Sequence, residues 1–332
     1  MKTKLYLTFG VSLILLFAGC GDKKTDQPVE NTKPLYELMK IDSFPKFDSL
    51  RAFAHLKKQV EFGPRVSGTE SYRQTKEYLI SVLSETGALV TQQNFEATVP
   101  TGETLKFTNI TASFKPENDK RIMLCAHWDS RPHADQDKDE AKKKTPIPGA
   151  NDGASGTAVL LELAQILGKQ NPEIGVDIVL FDAEDYGESG SLEGYCLGSK
   201  YYAANFPLKF RPKFAILLDM VGDIDAVFNR EPVSVQYAGD VVELLWRYAQ
   251  SLGNWRFKDY RSQQIYDDHV PLNEAGIKTI DIIDADLVGG DSSNPRRGYW
   301  HTTQDDLSNI SIEALYDIGR VLTGFIYSLK IN

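Results

Sequence analysis

An α/β fold is expected of this chain, a three-layer αβα sandwich with helices covering both faces of a largely parallel central sheet. Three observations point there. Short apolar runs of strand length alternate with segments of helical period from residue 46 to the end. The run Ile122-Met123-Leu124-Cys125-Ala126 is apolar without interruption, as a strand buried on both faces must be. Neither an internal repeat nor a shift in composition breaks residues 40–332, so a single domain over residues 35–332 is the economical reading.

The elements follow in order. Residues 46–62 place Phe47, Leu50, Phe53, Ala54, Leu56 and Val60 at helical spacing among charges, and Gly63-Pro64-Arg65 ends that helix. A second helix over 69–86 presents Tyr72, Tyr78, Leu79, Val82 and Leu83 and closes at Gly87. Strands are expected at 88–95, 104–113 and 121–126, then a helix at 154–168, strands at 176–181 and 214–219, a helix at 239–252, a strand at 277–283 and a closing helix at 311–329.

Composition narrows the partners. The chain has 332 residues, 42% hydrophobic and 25% charged, which is ordinary for a globular protein. With 37 Lys and Arg against 46 Asp and Glu, the net charge of −9 argues against nucleic acid and anionic lipid as partners. It is compatible with clustered carboxylates around a cation. A monomer is expected.

The first twenty residues read as an export signal. Lys2 and Lys4 precede an apolar stretch from Leu5 to Phe17, which is short for a membrane span, and Ala18-Gly19-Cys20 forms a small-residue processing site. Leu16-Phe17-Ala18-Gly19-Cys20 resembles a bacterial lipobox, which implies lipidation of Cys20 and an exported protein anchored to a bacterial membrane, periplasmic or outer. Residues 21–34 are polar and read as a flexible tether. Three cysteines are too few for a disulfide scaffold. Cys125 and Cys196 read as two buried thiols, with a bridge between them left open.

The chemistry clusters just after the apolar runs. His127-Trp128-Asp129 follows one strand, Asp182-Ala183-Glu184-Asp185 another, and Asp219 ends a third. Asn151-Asp152-Gly153 precedes a helix, Asp267-Asp268-His269 precedes Val270-Pro271, and Trp300-His301-Thr302 precedes the last helix. In open α/β sheets the carboxyl ends of strands form the functional crevice. Imidazole and carboxylate donors converging there suit zinc with an open coordination position. No cysteine lies in these segments, so a structural thiolate site is excluded. Adjacent Glu184 and Asp185 can divide the work, one binding metal and the other serving as a base. Taken singly, each motif has an ordinary alternative: Asp219 as a cap or turn residue, Asp129 as a turn former, the tryptophans as packing.

The ordered set of motifs over roughly residues 50–330 resembles the zinc aminopeptidase-like superfamily. Within it, His127-Trp-Asp-Ser-Arg-Pro, Leu-Leu-Asp219-Met, Asp267-Asp-His-Val-Pro-Leu and Trp300 before His301 resemble the glutaminyl-peptide cyclotransferases, especially bacterial ones. The resemblance implies an αβα sandwich with a mixed, mostly parallel sheet. It also implies zinc, one ion per chain or two, held by Asp152, Asp185 and His301, with His127 and Asp219 available to a second ion. Glu184 matches the acid/base, Asp219 and Asp267 the hydrogen-bonded acidic pair near the substrate amine, and Trp300 the aromatic wall, with Tyr266 and Trp128 as further substrate contacts. Three positions depart from animal cyclases: Asp185 stands in place of Glu, Tyr266 in place of Gln, and Thr157 in place of a disulfide cysteine. The implied substrates are peptides with N-terminal glutamine; the alternative is a zinc metalloaminopeptidase.

Two loops complete the reading. Residues 284–299, long and polar, are a functional lid or a solvated connection. Residues 132–146, rich in Asp and Lys, are read as exposed and solvated. Asp135, Asp137 and Asp139 alternate there, but the glycine and terminal glutamate of a calcium loop are missing.

Overall fold

Side chains alternate across each central strand, and that alternation decides which core they enter. The computed structural model describes residues 34–188, 190–290 and 293–332; the expected export signal, Cys20 and the tether up to residue 33 lie outside the described residues. In chain order the elements are β1 (Tyr36–Leu38), α1 (Ser49–Phe62), α2 (Glu70–Ser84), β2 (Leu89–Thr98), β3 (Thr104–Phe114), β4 (Arg121–His127), α3 (Ala154–Lys169), β5 (Gly175–Phe181), α4 (Leu197–Ala204), β6 (Ala215–Asp219), β7 (Phe228–Arg230), α5 (Pro232–Ser251), β8 (Phe257–Arg261), α6 (His269–Glu274), β9 (Thr279–Ile283), α7 (Ile312–Ser328) and β10 (Leu329–Ile331).

The central sheet has the order β2-β3-β5-β4-β6-β9. β5, β4, β6 and β9 run parallel, while β3 lies antiparallel to both β2 and β5. The sheet is therefore mixed and mostly parallel. Ile122, Leu124 and Ala126 of β4 enter the larger core with Leu56 of α1, Leu160 of α3 and Leu322 of α7. Met123 and Cys125 enter the smaller core on the opposite face with Tyr202 of α4 and Leu272 of α6. Helices on both faces of one sheet make the three-layer sandwich.

Three departures from the sequence reading have local causes. Strands β2 and β3 form a hairpin closed by Gly102 N–H to Val99 O at 2.8 Å; a link this short joins only antiparallel neighbours. Helix α5 starts at Pro232, earlier than its periodicity suggests. Glu231 caps it by accepting from Val233 and Ser234 N–H, and a kink at Ala238 (φ −140°, ψ 39°) resets the helical phase. Helices α4 and α6 and the pairs β1–β10 and β7–β8 are too short for a periodic pattern to register.

Candidate metal centre and active site

The crevice is assembled at the carboxyl ends of the parallel strands. His127 ends β4, Glu184 and Asp185 follow β5, and Asp219 ends β6. Asp152 enters from the loop before α3, Asp267 from the loop before α6 and His301 from the loop before α7. Ala183, Cys196, Met220 and His301 adopt left-handed backbone (φ 55°, 56°, 47° and 53°), an arrangement kept only where surroundings enforce it. Those surroundings are buried hydrogen bonds. The Asp129 carboxylate accepts from the N–H groups of Glu184 and Asp185 at 3.1 and 3.2 Å. Asp305 accepts from Asn151 and Asp152 N–H at 2.9 and 3.1 Å. The Arg65 guanidinium donates to Trp128 O at 3.1 Å and Gly149 O at 2.7 Å. Gly153 is required by space, since a Cβ there would lie on the His127 imidazole.

Two groups of candidate ligands share Asp152. One comprises Asp152, Asp185 and His301, the other His127, Asp152 and Asp219; in each, the donor atoms lie within 4.8 Å of one another. Their spacings differ. His301 Nε2 is 3.7 Å from Asp152 Oδ2 and 3.5 Å from Asp185 Oδ1. That is beyond good hydrogen bonding and close to the ~3.3 Å separating two donors on a tetrahedral zinc with bonds of about 2.0–2.1 Å. His127 Nε2 is 3.0 Å from Asp152 Oδ1 and 3.2 Å from Asp219 Oδ1, distances that suit hydrogen bonds and a shared metal alike. Asp185 Oδ2 is buried and has no hydrogen-bond partner among the described residues. An orphaned carboxylate oxygen among nitrogen and oxygen donors fits zinc, and the site is of the zinc type.

The same residues line a cavity of about 250 Å³. Asp152, Glu184, Asp185, Asp219, Asp267 and His301 form its polar wall, and Tyr266, Trp300, Ile265, Met220 and Val288 its apolar one. Trp300 stacks on His301 with ring centroids 3.5 Å apart. Burial raises the Glu184 carboxyl well above the ordinary range, and Asp185 beside it adds to the rise. Burial and the Asp219 charge push Asp267 up to about 7. Asp219 rises to about 6 through burial, against the hydrogen bond from His127. Asp152 goes the other way: although burial opposes it, the His127 hydrogen bond and the charges of His127, His301 and Arg131 hold it down. A cation offsets the cost of gathering these carboxylates in one buried place.

Not every expected residue faces the cavity. Trp128, expected to contact substrate, is fully buried. Its Nε1 donates to Thr108 O at 3.1 Å and its ring lies 4.6 Å from that of Tyr72. It follows His127 along an extended segment, so its side chain turns to the opposite side, into the core. His269 is also withdrawn, 3.2 Å from Glu231 in the interior. Cys125 and Cys196 are both buried and unbridged.

Several site residues escaped the sequence reading. The Cys196 thiol donates to Glu184 Oε1 at 3.3 Å. Arg131 donates to Asp185 Oδ1 at 2.6 Å and Asp135 Oδ1 at 2.6 Å. Asp135 and Asp137, expected to be solvated, are docked against Arg131 and Thr303. In the loop over 284–299, Arg296 pairs with Asp223 and Arg297 with Asp284, so the part of the loop next to Trp300 is held by charge. Spacing along the sequence does not reveal these partners; an arginine two residues after the His127-Trp-Asp motif is the one usable signal.

Known proteins share this architecture. Residues 109–326 match Peptidase family M28. Aminopeptidase YwaD of Bacillus subtilis is 30% identical over 264 residues, covering 75% of this chain and 50% of that protein, so the chain spans half of that relative's length. The glutaminyl-peptide cyclotransferase of Drosophila melanogaster is 25% identical over 309 residues, covering 85% of this chain and 82% of its own. The crystal structure of Bacteroides thetaiotaomicron glutaminyl cyclase bound to N-acetylhistamine shares 42% identity with a TM-score of 0.80, over 86% of this chain and 99% of that one. A Zn-dependent exopeptidase from Parabacteroides distasonis shares 39% identity with a TM-score of 0.81, over the same shares of the two chains. The match runs from β3 through α7 and takes in every candidate zinc ligand: the chain belongs to peptidase family M28.

Proposed function

We propose that this chain is a zinc-dependent glutaminyl-peptide cyclotransferase, converting the N-terminal glutamine of peptides to pyroglutamate with release of ammonia. The supporting observation is that the ligand group Asp152, Asp185 and His301 opens onto a cavity walled by Glu184, Asp219, Asp267, Tyr266 and Trp300. One zinc per chain, held by Asp152, Asp185 and His301, belongs to this proposal. The 42% identity to a bacterial glutaminyl cyclase supports the same reading.

When bound, zinc supplies Lewis acidity toward the γ-amide of the substrate. The protein's own groups do the rest. Asp219 and Asp267 line the cavity beside Glu184 and hold the substrate α-amine. Glu184, fixed by the Cys196 thiol at 3.3 Å, removes a proton as the amine nitrogen bonds to the γ-carbon. It then delivers that proton to the departing amide nitrogen as the original C–N bond breaks, so ammonia leaves and the carboxylate is regenerated. Tyr266, Trp300 and Ile265 line the pocket and exclude water, which favours attack by the tethered amine over hydrolysis.

One observation favours hydrolysis instead. Asp152 turns Oδ1 toward His127 and Oδ2 toward His301, as a carboxylate bridging two metals does, and an aminopeptidase stands among the relatives. Two peptides, one starting with glutamine and one with leucine, separate the readings by mass spectrometry. Ammonia loss from the first with the second intact is expected; release of free leucine would make the chain an aminopeptidase. Export and lipid anchoring at Cys20 belong to this proposal, supported by the leader sequence, and Cys20→Ser is expected to move the protein out of the membrane fraction.

A further inference from the structure

We propose that the acidic loop following Arg131 is part of the metal centre, with Asp135 positioning His301 directly and Asp185 through Arg131, so that this loop sets zinc affinity. Asp135 Oδ1 lies 2.6 Å from Arg131 Nε and 3.5 Å from His301 Nδ1, and its Oδ2 accepts from Arg131 at 3.1 Å. The far side of the same guanidinium donates to Asp185 Oδ1 at 2.6 Å and to Gly187 O at 2.8 Å. Arg131 and Asp185 are nearly inaccessible to solvent, so that pair is shielded from water, while Asp135 reaches Arg131 from the partly exposed loop.

The arrangement prepares both ligands. Arg131 holds Asp185 by Oδ1, the oxygen 3.5 Å from His301 Nε2, while the buried Oδ2 has no hydrogen-bond partner among the described residues, so the carboxylate is fixed with donor capacity left for metal. His301 Nδ1 is also buried without a hydrogen bond among the described residues, and Asp135 is the carboxylate that faces it. A metal-binding imidazole needs its second nitrogen held by an acceptor, which fixes the ring and raises its basicity. The loop also grips the backbone around His301, whose φ of 53° requires support. Gln136 N–H donates to His301 O at 3.2 Å, and Asp137 Oδ2 accepts from Thr303 N–H at 3.1 Å and Thr303 Oγ1 at 2.6 Å. Beyond these anchors the loop is exposed, with Glu140 paired only to Lys143 at its surface.

The inference rests on His301 and Asp185 being zinc ligands, and its test is a zinc dissociation constant rather than a turnover number. Zinc affinity of the full chain would be measured by competition with a chromogenic chelator for the wild type, Asp135→Ala, Asp135→Asn and the surface control Glu140→Gln. Asp135→Ala is expected to bind zinc about 10–100-fold more weakly. Asp135→Asn, which keeps an acceptor oxygen without the charge, is expected to lose less, and it serves as the test if the alanine variant does not fold. Glu140→Gln is expected to match the wild type. Wild-type affinity in both Asp135 variants overturns the inference, even if their metal-free melting temperatures fall. Failure of the wild type itself to bind zinc overturns both this inference and the proposed function; tight wild-type binding with insensitive Asp135 variants overturns this inference alone.

Discussion

Glu184 is set apart from Asp185 by its surroundings. Asp185 has one oxygen held by Arg131, whereas Glu184, among the described residues, meets the weak Cys196 thiol donor through its side chain and is pushed strongly toward its protonated form by burial. A carboxyl so placed is suited to proton transfer. Glu184→Gln is expected to lower turnover by about 10²–10⁴-fold while zinc content, measured by atomic absorption, stays at the wild-type level; full activity would remove Glu184 from the mechanism. Cys196→Ala is expected to lower kcat more than it changes KM, with Cys196→Ser retaining more activity because a hydroxyl still donates. Equal kcat in all three proteins would show that the thiol does not orient the carboxyl. Of this site, Asp185 and Asp219 are legible because they follow or end apolar strands, and Asp152 and His301 because they sit in short motifs in the loops before α3 and α7. Asp135, Arg131 and Cys196 are not, because their roles arise from side chains meeting across loops. Trp128 was misread because nearness in sequence to His127 says nothing about which side of the strand it faces.

At the scale of elements, the helix that follows the His301 loop is held by its first turn. Ser311 caps α7 by accepting from Ala314 N–H at 3.2 Å, and Glu313 adds a favourable charge near the helix N-terminus. Ser311→Ala is expected to cost about 1 kcal/mol in urea denaturation without altering zinc content; an unchanged midpoint would mean that the cap contributes nothing. The long helices and the buried strands are readable from period and apolar content, since α1 and α2 present one face to the core while α3 and α7 are apolar and buried around most of their circumference. The edge was less readable. Alternating strands and helices imply parallel pairing, and only the closeness of β2 to β3 signals the antiparallel hairpin. Helix α5 shows the opposite failure: its start was marked by Glu231 and Pro232, but the kink at Ala238 hid the continuity.

The whole molecule combines a buried acidic crevice with a dry core on each face of one sheet, and its stability should reflect titration in both regions. His55, on the buried face of α1 and 2.6 Å from the Tyr78 hydroxyl, is pushed down to about 4 from 6.5 by burial and by the Arg51 charge. The folded state therefore binds that proton less readily than the unfolded state. Its contribution is full above pH 6.5 and is lost as pH falls toward 4. Denaturation midpoints at pH 7 and pH 5 are expected to fall further for the wild type than for His55→Gln, and equal losses would rule out His55 as a source of acid sensitivity. The crevice holds two candidate ligand groups that share Asp152, and the proposed loading is one zinc per chain. Its most direct test is a zinc titration of the metal-free protein followed by ammonia release from a glutamine-initiated peptide. The account predicts that activity rises to a plateau at one equivalent of zinc per chain; activity that appears only as a second equivalent binds would contradict it.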